Sequence, residues 1–191
     1  MNNKKKLFID CGGFNGSSVR KFLNEADNPS EYNLVTFEPN PTFYRCYSNF
    51  GNNHTLIPAA VWTQEGELEF YLDEIDGDGS SVLREKTTGQ LNKTFPLRVP
   101  SIDFSNWLKE NVNNNEEVYL KLDIEGAEYE VLDKMFTDGT IHLIKELFIE
   151  WHWDKIPSIT KERHLALIDR LTSIGIVPSL WDANTREYIN E

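Results

Sequence analysis

The sequence predicts an α/β protein with a mostly parallel sheet flanked by helices, formed as one domain over residues 1–191. Three observations predict this class. The chain begins with a strand pattern, a glycine-rich turn and a helix start; strand and helix patterns then alternate; and acidic residues recur where strands end. A length of 191 residues is typical of a single domain with a sizeable core.

The first strand is the apolar run 7–9, and a glycine-rich turn over 12–16 follows it. Glycines permit a tight turn and let a ligand approach the backbone closely. A helix follows, with Ser17 or Ser18 as its expected N-cap, because apolar residues recur at helical spacing over 19–26. A helix start of this kind offers free N–H groups to a ligand.

The turn does not match the dinucleotide fingerprint, because the first glycine of G-x-G-x-x-G would fall on Cys11. Asp10 stands at the end of the strand instead. An acid there repels a pyrophosphate but can hold an ammonium group. S-adenosylmethionine (SAM) carries an ammonium, a carboxylate and a sulfonium and no phosphate, so the turn favours SAM over NAD. A glycine turn without a ligand is the alternative.

Composition and charge limit the classes of partner and the compartment that we expect for this protein. A net charge of −12 disfavours a nucleic-acid partner, since the one basic run is 4–6. We expect no membrane span and no signal peptide, because no apolar run is long enough and a strand follows the first residues directly. Cys11 and Cys46 form no disulfide framework, which favours a reducing, cytoplasmic compartment. Oligomeric state is left open.

An acid also ends the second predicted strand, 33–38. Glu38 lies about 20 residues after the glycine turn, the spacing at which an acid accepts hydrogen bonds from ribose hydroxyls in a βαβ nucleotide fold. Pro39 ends the strand, and a helix is expected over 42–50. The paired glycine turn and acid are more specific than either feature alone.

The middle of the chain departs from strict alternation. A third strand over 55–62 and an alternating stretch over 67–72 predict an inserted β-hairpin. The acidic loop 73–81 lacks the spacing of a calcium loop, so we expect a lid near the ligand. An edge strand over 97–102 and a short helix over 104–110 follow.

The second half returns to alternating strands and helices. Strands are predicted at 118–125, 144–153 and 176–181, helices at 127–136 and 160–174, and a short partner strand at 186–189. Ligands of open α/β sheets bind beyond the carboxyl ends of the strands. The sequence places six titratable side chains there: Asp10, Glu38, Asp123, Glu125, Glu150 and His152. Asp10 and Glu38 suit a cofactor, and the other four face the acceptor side.

Among these groups, His152 has the ordinary pKa closest to neutrality, so it is the first candidate for a general base, with Glu125 or Glu150 as alternatives. A surface histidine without a role is the competing interpretation. Asp123 and Glu150 could together hold a divalent cation through carboxylate oxygens. Structural hydrogen bonding by that pair is the alternative interpretation.

Three blocks of sequence resemble the signatures of FkbM-type methyltransferases in order and spacing. They are Phe8-Ile-Asp-Cys-Gly-Gly-Phe-Asn-Gly16, Phe37-Glu-Pro-Asn-Pro41 and Leu120-Lys-Leu-Asp-Ile-Glu-Gly-Ala-Glu128. The resemblance covers nearly the whole chain. It implies a Rossmann-like class I methyltransferase fold, with a seven-strand sheet whose final strand is reversed, and SAM-dependent methyl transfer to oxygen on sugars or natural products.

The resemblance also implies roles for individual residues. The cofactor-binding set comprises Asp10, Gly12, Gly13, Asn15, Gly16, Glu38, Pro39 and Asp123. Asp10 and the glycines would surround the methionine part of SAM, Glu38 would take the ribose, and Asp123 would lie near the methionine part or the acceptor. The family often has Asn where Phe14 stands, whereas this chain has its Asn at position 15.

The leading functional hypothesis is therefore a SAM-dependent O-methyltransferase acting on a saccharide or glycan hydroxyl. The catalytic candidates are His152, Asp123, Glu125 and Glu150. Methylation of a non-sugar metabolite is the second hypothesis. A non-catalytic SAM-fold interaction module is the third. Such a module would be expected to lose motif residues, whereas the cofactor half of the motifs is intact here.

Overall fold

A computed structural model describes residues 5–113 and 115–181 and confirms the Rossmann-like α/β fold. In chain order the strands are β1 (Lys5–Cys11), β2 (Tyr32–Phe37), β3 (His54–Ile57), β4 (Ala60–Trp62), β5 (Gly66–Phe70), β6 (Leu97–Asp103), β7 (Glu116–Leu122), β8 (Ile144–Ile149) and β9 (Ser179–Leu180). The helices are α1 (Ser17–Glu25), α2 (Phe104–Asn111), α3 (Glu128–Asp138) and α4 (Lys161–Ser173).

The main sheet has the strand order β3-β2-β1-β7-β8-β9, and all of its pairs are parallel. Within the described residues it therefore has six strands rather than the predicted seven. The predicted partner strand at 186–189 lies outside the described residues, as does any reversed final strand there.

The inserted hairpin was a wrong prediction, since β4 and β5 do not pair with each other. Both pair with β6, β4 in parallel and β5 antiparallel, so the insertion is a separate three-strand sheet. Pro58 lies between β3 and β4, and it divides the predicted strand 55–62 between the two sheets. A proline has no N–H to give to a ladder, which is the physical reason for the break.

Two local predictions also differ from the structure. The segment Pro41–Tyr47 forms a 3₁₀ helix instead of an α-helix, begun by Asn40 Oδ1, which accepts from Thr42 N at 3.0 Å. Gly16, not a serine, is the N-cap of α1, and Asn15 Oδ1 accepts from Ser17 N at 3.0 Å. The amide of Asn15 therefore satisfies a helix-start donor that we assigned to a serine.

The core is centred on β1 and β7, whose apolar side chains are covered on both faces. Ile9, Cys11, Leu120 and Leu122 are fully buried there. The chain winds outward from β1 in one direction through β2 and in the other through β7, so a crevice forms at the carboxyl ends of these strands. Across residues 5–113 and 115–181, no helix has the length and apolarity to span a membrane.

Candidate active site

A cleft opens at the carboxyl ends of β1, β2 and β7, with about 710 Å³ of empty space that includes a part open to solvent. Its walls are formed by residues from the segments 12–18, 37–39, 60–61, 70–82 and 121–127. The main sheet supplies one side, and the three-strand sheet with its following loop supplies the other. The inserted sheet and its loop therefore complete the cleft. Local sequence patterns did not indicate that the sheet forms one of its walls.

The glycine turn is bonded tightly to both neighbouring strands. The backbone N–H groups of Gly12 and Gly13 donate to the carbonyl of Phe37 at 3.1 and 3.2 Å. Gly12 has φ +83°, and a Cβ there would lie 1.7 Å from the carbonyl oxygen of Asp123. Because that contact is with backbone, no other residue fits at position 12 without moving β7.

Glu38 is held at the end of β2 with its carboxylate at the cleft wall. Its Oε1 accepts from Asn40 N at 2.6 Å, and its Oε2 accepts from Phe14 N at 2.7 Å. Burial raises the pKa of Glu38 to about 7, although the two backbone N–H groups oppose this. Each oxygen keeps a further acceptor site, so the fixed carboxylate can receive hydroxyl donors from a ligand.

Phe14 is a wall residue that we did not predict. Its φ is +48°, in the left-handed region that favours Gly, Asn and Asp. Its ring packs edge-on against Phe43 with centroids 4.4 Å apart, and Tyr47 Oη donates to its carbonyl at 2.9 Å. Asn would adopt this backbone angle at lower cost than Phe.

Lys121 links the glycine turn to two carboxylates. Its Nζ donates to the carbonyl of Gly12 at 2.6 Å and lies 3.2 Å from Asp10 Oδ1 and 3.1 Å from Asp123 Oδ2. Burial opposes the charge on this lysine, but the two carboxylates raise its pKa above the ordinary value. The sequence signal was a lysine within an otherwise apolar strand, and we missed it.

Asp10 does not line the cleft; it is fully buried beside Lys121. Burial raises its pKa to about 6, and the lysine charge acts against that. Among the described residues, neither of its oxygens has a partner with hydrogen-bond geometry. Its predicted contact with an ammonium group stays a prediction, and the ammonium group that the structure places beside it is that of Lys121.

His152 is fully buried behind the cleft wall and is surrounded by acids. Its Nδ1 lies 3.0 Å from Glu128 Oε1, and its Nε2 lies 3.4 Å from both Glu125 Oε2 and Glu150 Oε1. Burial lowers the pKa of this imidazole, but the surrounding carboxylates outweigh burial and raise it to about 11. The role of general base stays a prediction, and this environment weighs against it because a base needs the neutral ring.

The turn after β7 brings two of the predicted catalytic acids, Asp123 and Glu125, to the cleft. Glu125 has φ +57°, its carbonyl accepts from Ser81 Oγ at 2.7 Å, and Lys86 Nζ lies 2.7 Å from its Oε2. Burial raises the pKa of Glu125, while the charges of His152 and Lys86 lower it. The loop at 81–86 therefore fixes the direction of this carboxylate.

The predicted site residues divide into two groups. Those that line the cleft are Gly12, Glu38, Pro39, Asp123 and Glu125. Those that lie outside its lining are Asp10, Gly13, Asn15, Gly16, Glu150 and His152. Gly13 packs under the turn, where a Cβ would lie 2.2 Å from the Thr36 methyl group, so it acts through packing.

Several lining residues were not among the predicted site residues. They are Ala60, Val61, Phe70, Asp78, Ser80 and Val82. All of them belong to the inserted sheet or its loop, and their place at the cleft follows from the long-range pairing of β6 with β4 and β5. The loop 73–81 borders the cleft as expected for a lid, and its motion stays a prediction.

Comparison with family models gives one finding. A model described as the methyltransferase FkbM domain matches residues 10–175. This range begins at the last residues of β1 and includes the glycine turn, Glu38, the turn after β7 and His152. Comparisons with curated proteins and with solved structures find no match.

Proposed function

Because the chain belongs to the FkbM methyltransferase family, we propose that it is a SAM-dependent O-methyltransferase acting on a hydroxyl of a saccharide or glycan. The methyltransferase function follows from the family. The observation that carries the finer proposal is the cleft: a carboxylate fixed by two backbone N–H groups stands beside a glycine turn, and the charged residues of the walls are mostly acids.

The residues present fit SAM. Glu38 offers two fixed acceptor oxygens, as a ribose diol requires, and the turn around Gly12 allows close approach to the backbone. The charged lining residues are four acids, Glu38, Asp78, Asp123 and Glu125, and one lysine, Lys121. This balance favours a ligand with positive groups and disfavours the pyrophosphate of a dinucleotide.

When bound, SAM would supply a methyl group on a cationic sulfur, and the sulfur would leave as a neutral thioether as the acceptor oxygen bonds to the methyl carbon. The protein's contribution is to hold the acceptor hydroxyl in line with that carbon and to take its proton. Asp123 and Glu125 are the predicted catalytic residues at the cleft wall, so we assign proton acceptance to this pair of carboxylates. His152 and Glu150 then support the pair from behind.

A neutral, hydroxyl-rich acceptor suits this end of the cleft. Carboxylates accept hydrogen bonds from several hydroxyls and repel anionic acceptors. The loop residues Asp78 and Ser80 add polar groups on the opposite wall. A saccharide meets these requirements better than an apolar or phosphorylated metabolite.

The proposal is tested by incubating the full chain with SAM labelled in its methyl group and a panel of neutral saccharides. We expect label in a methyl ether, identified by mass spectrometry of the product. Glu38→Ala should abolish most of the transfer, whereas Glu67→Gln, an exposed change on β5, should leave it intact. Transfer to non-sugar hydroxyls alone would refute the saccharide assignment. SAM binding without transfer to any acceptor would favour an interaction module.

A further inference from the structure

One histidine and two carboxylates converge on a single point at the inner end of the cleft. Asp123, Glu125 and His152 each offer one ligand atom, and these three atoms lie within 4.8 Å of one another. From His152 Nε2, the distance is 3.4 Å to Glu125 Oε2 and 3.9 Å to Asp123 Oδ1. This set differs from the pair Asp123 and Glu150 that the sequence suggested.

The orientation of His152 is the second, independent observation. The residue is fully buried, and its Nδ1 is bonded to Glu128 Oε1 at 3.0 Å. Its Nε2 points at the carboxylates, yet no atom of residues 5–113 and 115–181 meets it with hydrogen-bond geometry. Histidines that bind metals usually give one ring N–H to a carboxylate and direct the other nitrogen at the ion.

Glu128 is well suited to hold the ring in this orientation. It is fully buried at the start of α3, and its oxygens also accept from Ile124 N at 2.9 Å and Gly126 N at 3.0 Å. Those bonds fix the carboxylate to the turn that carries Asp123 and Glu125. The histidine and its two neighbouring acids therefore share one rigid support.

The distances suit a cation at the centre of the set. With metal–ligand bonds of about 2.1 Å, two ligand atoms lie between roughly 3.0 and 4.2 Å apart in a regular geometry. The separations of 3.4 and 3.9 Å from His152 Nε2 fall within that range. The third separation, between the ligand oxygens of Asp123 and Glu125, is within 4.8 Å.

The charge of the cluster also leaves room for a divalent ion. Ion pairs link four carboxylates, those of Asp10, Asp123, Glu125 and Glu150, to the ammonium groups of Lys86, Lys121 and Lys155, and the imidazole of His152 links Glu128 to the same cluster. A metal ion that binds Nε2 displaces the proton that the surrounding carboxylates otherwise hold on this imidazole. Among the described residues, the five carboxylates and three ammonium groups then leave two negative charges in excess. A divalent cation would neutralise them.

We propose that Asp123, Glu125 and His152 bind a divalent first-row metal ion, with Glu128 as the residue that orients the imidazole. One nitrogen and two carboxylate oxygens favour Mn²⁺, Fe²⁺ or Zn²⁺ over Mg²⁺, which prefers oxygen ligands alone. Asp123 and Glu125 lie at the cleft wall, so the ion can reach the acceptor. Its role there, unlike its binding, rests on the proposed function: it holds the acceptor hydroxyl oxygen and acidifies it, and the proton passes to a carboxylate oxygen that the ion does not use.

Metal binding is measured with Mn²⁺ as the probe, by electron paramagnetic resonance of the free ion during titration of chelator-treated full-length protein. We expect one site in the wild type. His152→Gln and Asp123→Asn should each weaken Mn²⁺ binding more than tenfold, and Glu128→Gln about tenfold. His164→Gln is the matched control, a buried histidine bonded to Tyr129 at 2.9 Å and outside the cluster, and it should bind Mn²⁺ as the wild type does.

Circular dichroism of each variant separates loss of a ligand from loss of the fold. If His152→Gln does not fold, Mn²⁺ binding by Asp123→Asn decides the question, because Asp123 is only half-buried. A folded wild type that binds no Mn²⁺, or equal binding by wild type and Asp123→Asn, overturns the proposal and identifies the cluster as an internal network of ion pairs. SAM titration of the same samples keeps the two proposals apart: SAM binding without Mn²⁺ binding overturns only the metal site, and Mn²⁺ binding without SAM binding overturns only the cofactor assignment.

Discussion

Glu38 provides a test of the cleft that needs no ligand. Its pKa is raised from 4.5 to about 7 because the carboxyl is buried, so the folded protein holds a proton there that the unfolded chain releases at lower pH. The direction of the pH dependence follows from the number of protons that each state binds. Between pH 4.5 and 7 the folded state binds more protons, so the free energy of unfolding falls as pH rises through this range. The full loss is about 3 kcal/mol.

The perturbation is Glu38→Gln, which keeps the shape of the side chain and removes its titration. Urea unfolding at several pH values between 4.5 and 8 gives the free energy of unfolding for wild type and variant. Groups common to both proteins cancel in the difference, so the stability of the wild type relative to the variant should fall by about 3 kcal/mol over this range. Glu67→Gln, on the exposed face of β5, should track the wild type. Parallel curves for wild type and Glu38→Gln would refute the buried, proton-holding state of Glu38.

Three further predictions concern the turns and the buried charges. Gly126→Ala, at φ +111°, places a Cβ 2.5 Å from Ile156 and should cost at least about 2 kcal/mol in urea unfolding. Gly139→Ala, with no atom within 4 Å, should cost only about 1 kcal/mol, and equal losses would contradict the packing of the turn after β7. The free energy of unfolding should be about 1 kcal/mol higher for Phe14→Gly than for Phe14→Ala, because both changes remove the same ring contacts and only glycine adopts φ +48° without strain. A more stable alanine variant would exclude the left-handed backbone at this position. Lys121→Met should lower the free energy of unfolding by about 3–5 kcal/mol, because it leaves Asp10 buried without its cation. The added change Asp10→Asn should restore part of that loss, and a double variant no more stable than Lys121→Met would argue against the ion pair.

Much of the main sheet was predictable because its signals are local. β1, β2 and β7 each contain an apolar run and have an acid next to their last residue, and the helices after β1 and β7 repeat apolar residues at helical spacing. The position of Glu38 was also predictable, because this acid directly follows β2, about 20 residues along the chain from the glycine turn. Both features depend on residues near one another in the chain.

The parts that were missed depend on contacts between distant segments. β6 separates β4 from β5, and no local pattern in either strand indicates that β6 takes the central position. Lys121 is buried by a pairing with Asp10 more than 100 residues away, as the 2.6 Å bond from its Nζ to Gly12 also reflects. His152 was predicted as a base from its ordinary pKa, but its environment is set by Glu128, which belongs to the third sequence block and was not predicted as a site residue.

The central claim is that the cleft binds SAM, and calorimetric titration of the full chain with SAM and, separately, with NAD tests it most directly. The acidic walls and the fixed carboxylate of Glu38 predict a single SAM site and no heat of binding from NAD. Glu38→Ala should weaken SAM binding at least tenfold, because both acceptor oxygens for the ribose are removed. No binding of SAM to the folded wild type, or NAD binding that Glu38→Ala abolishes, would contradict the account.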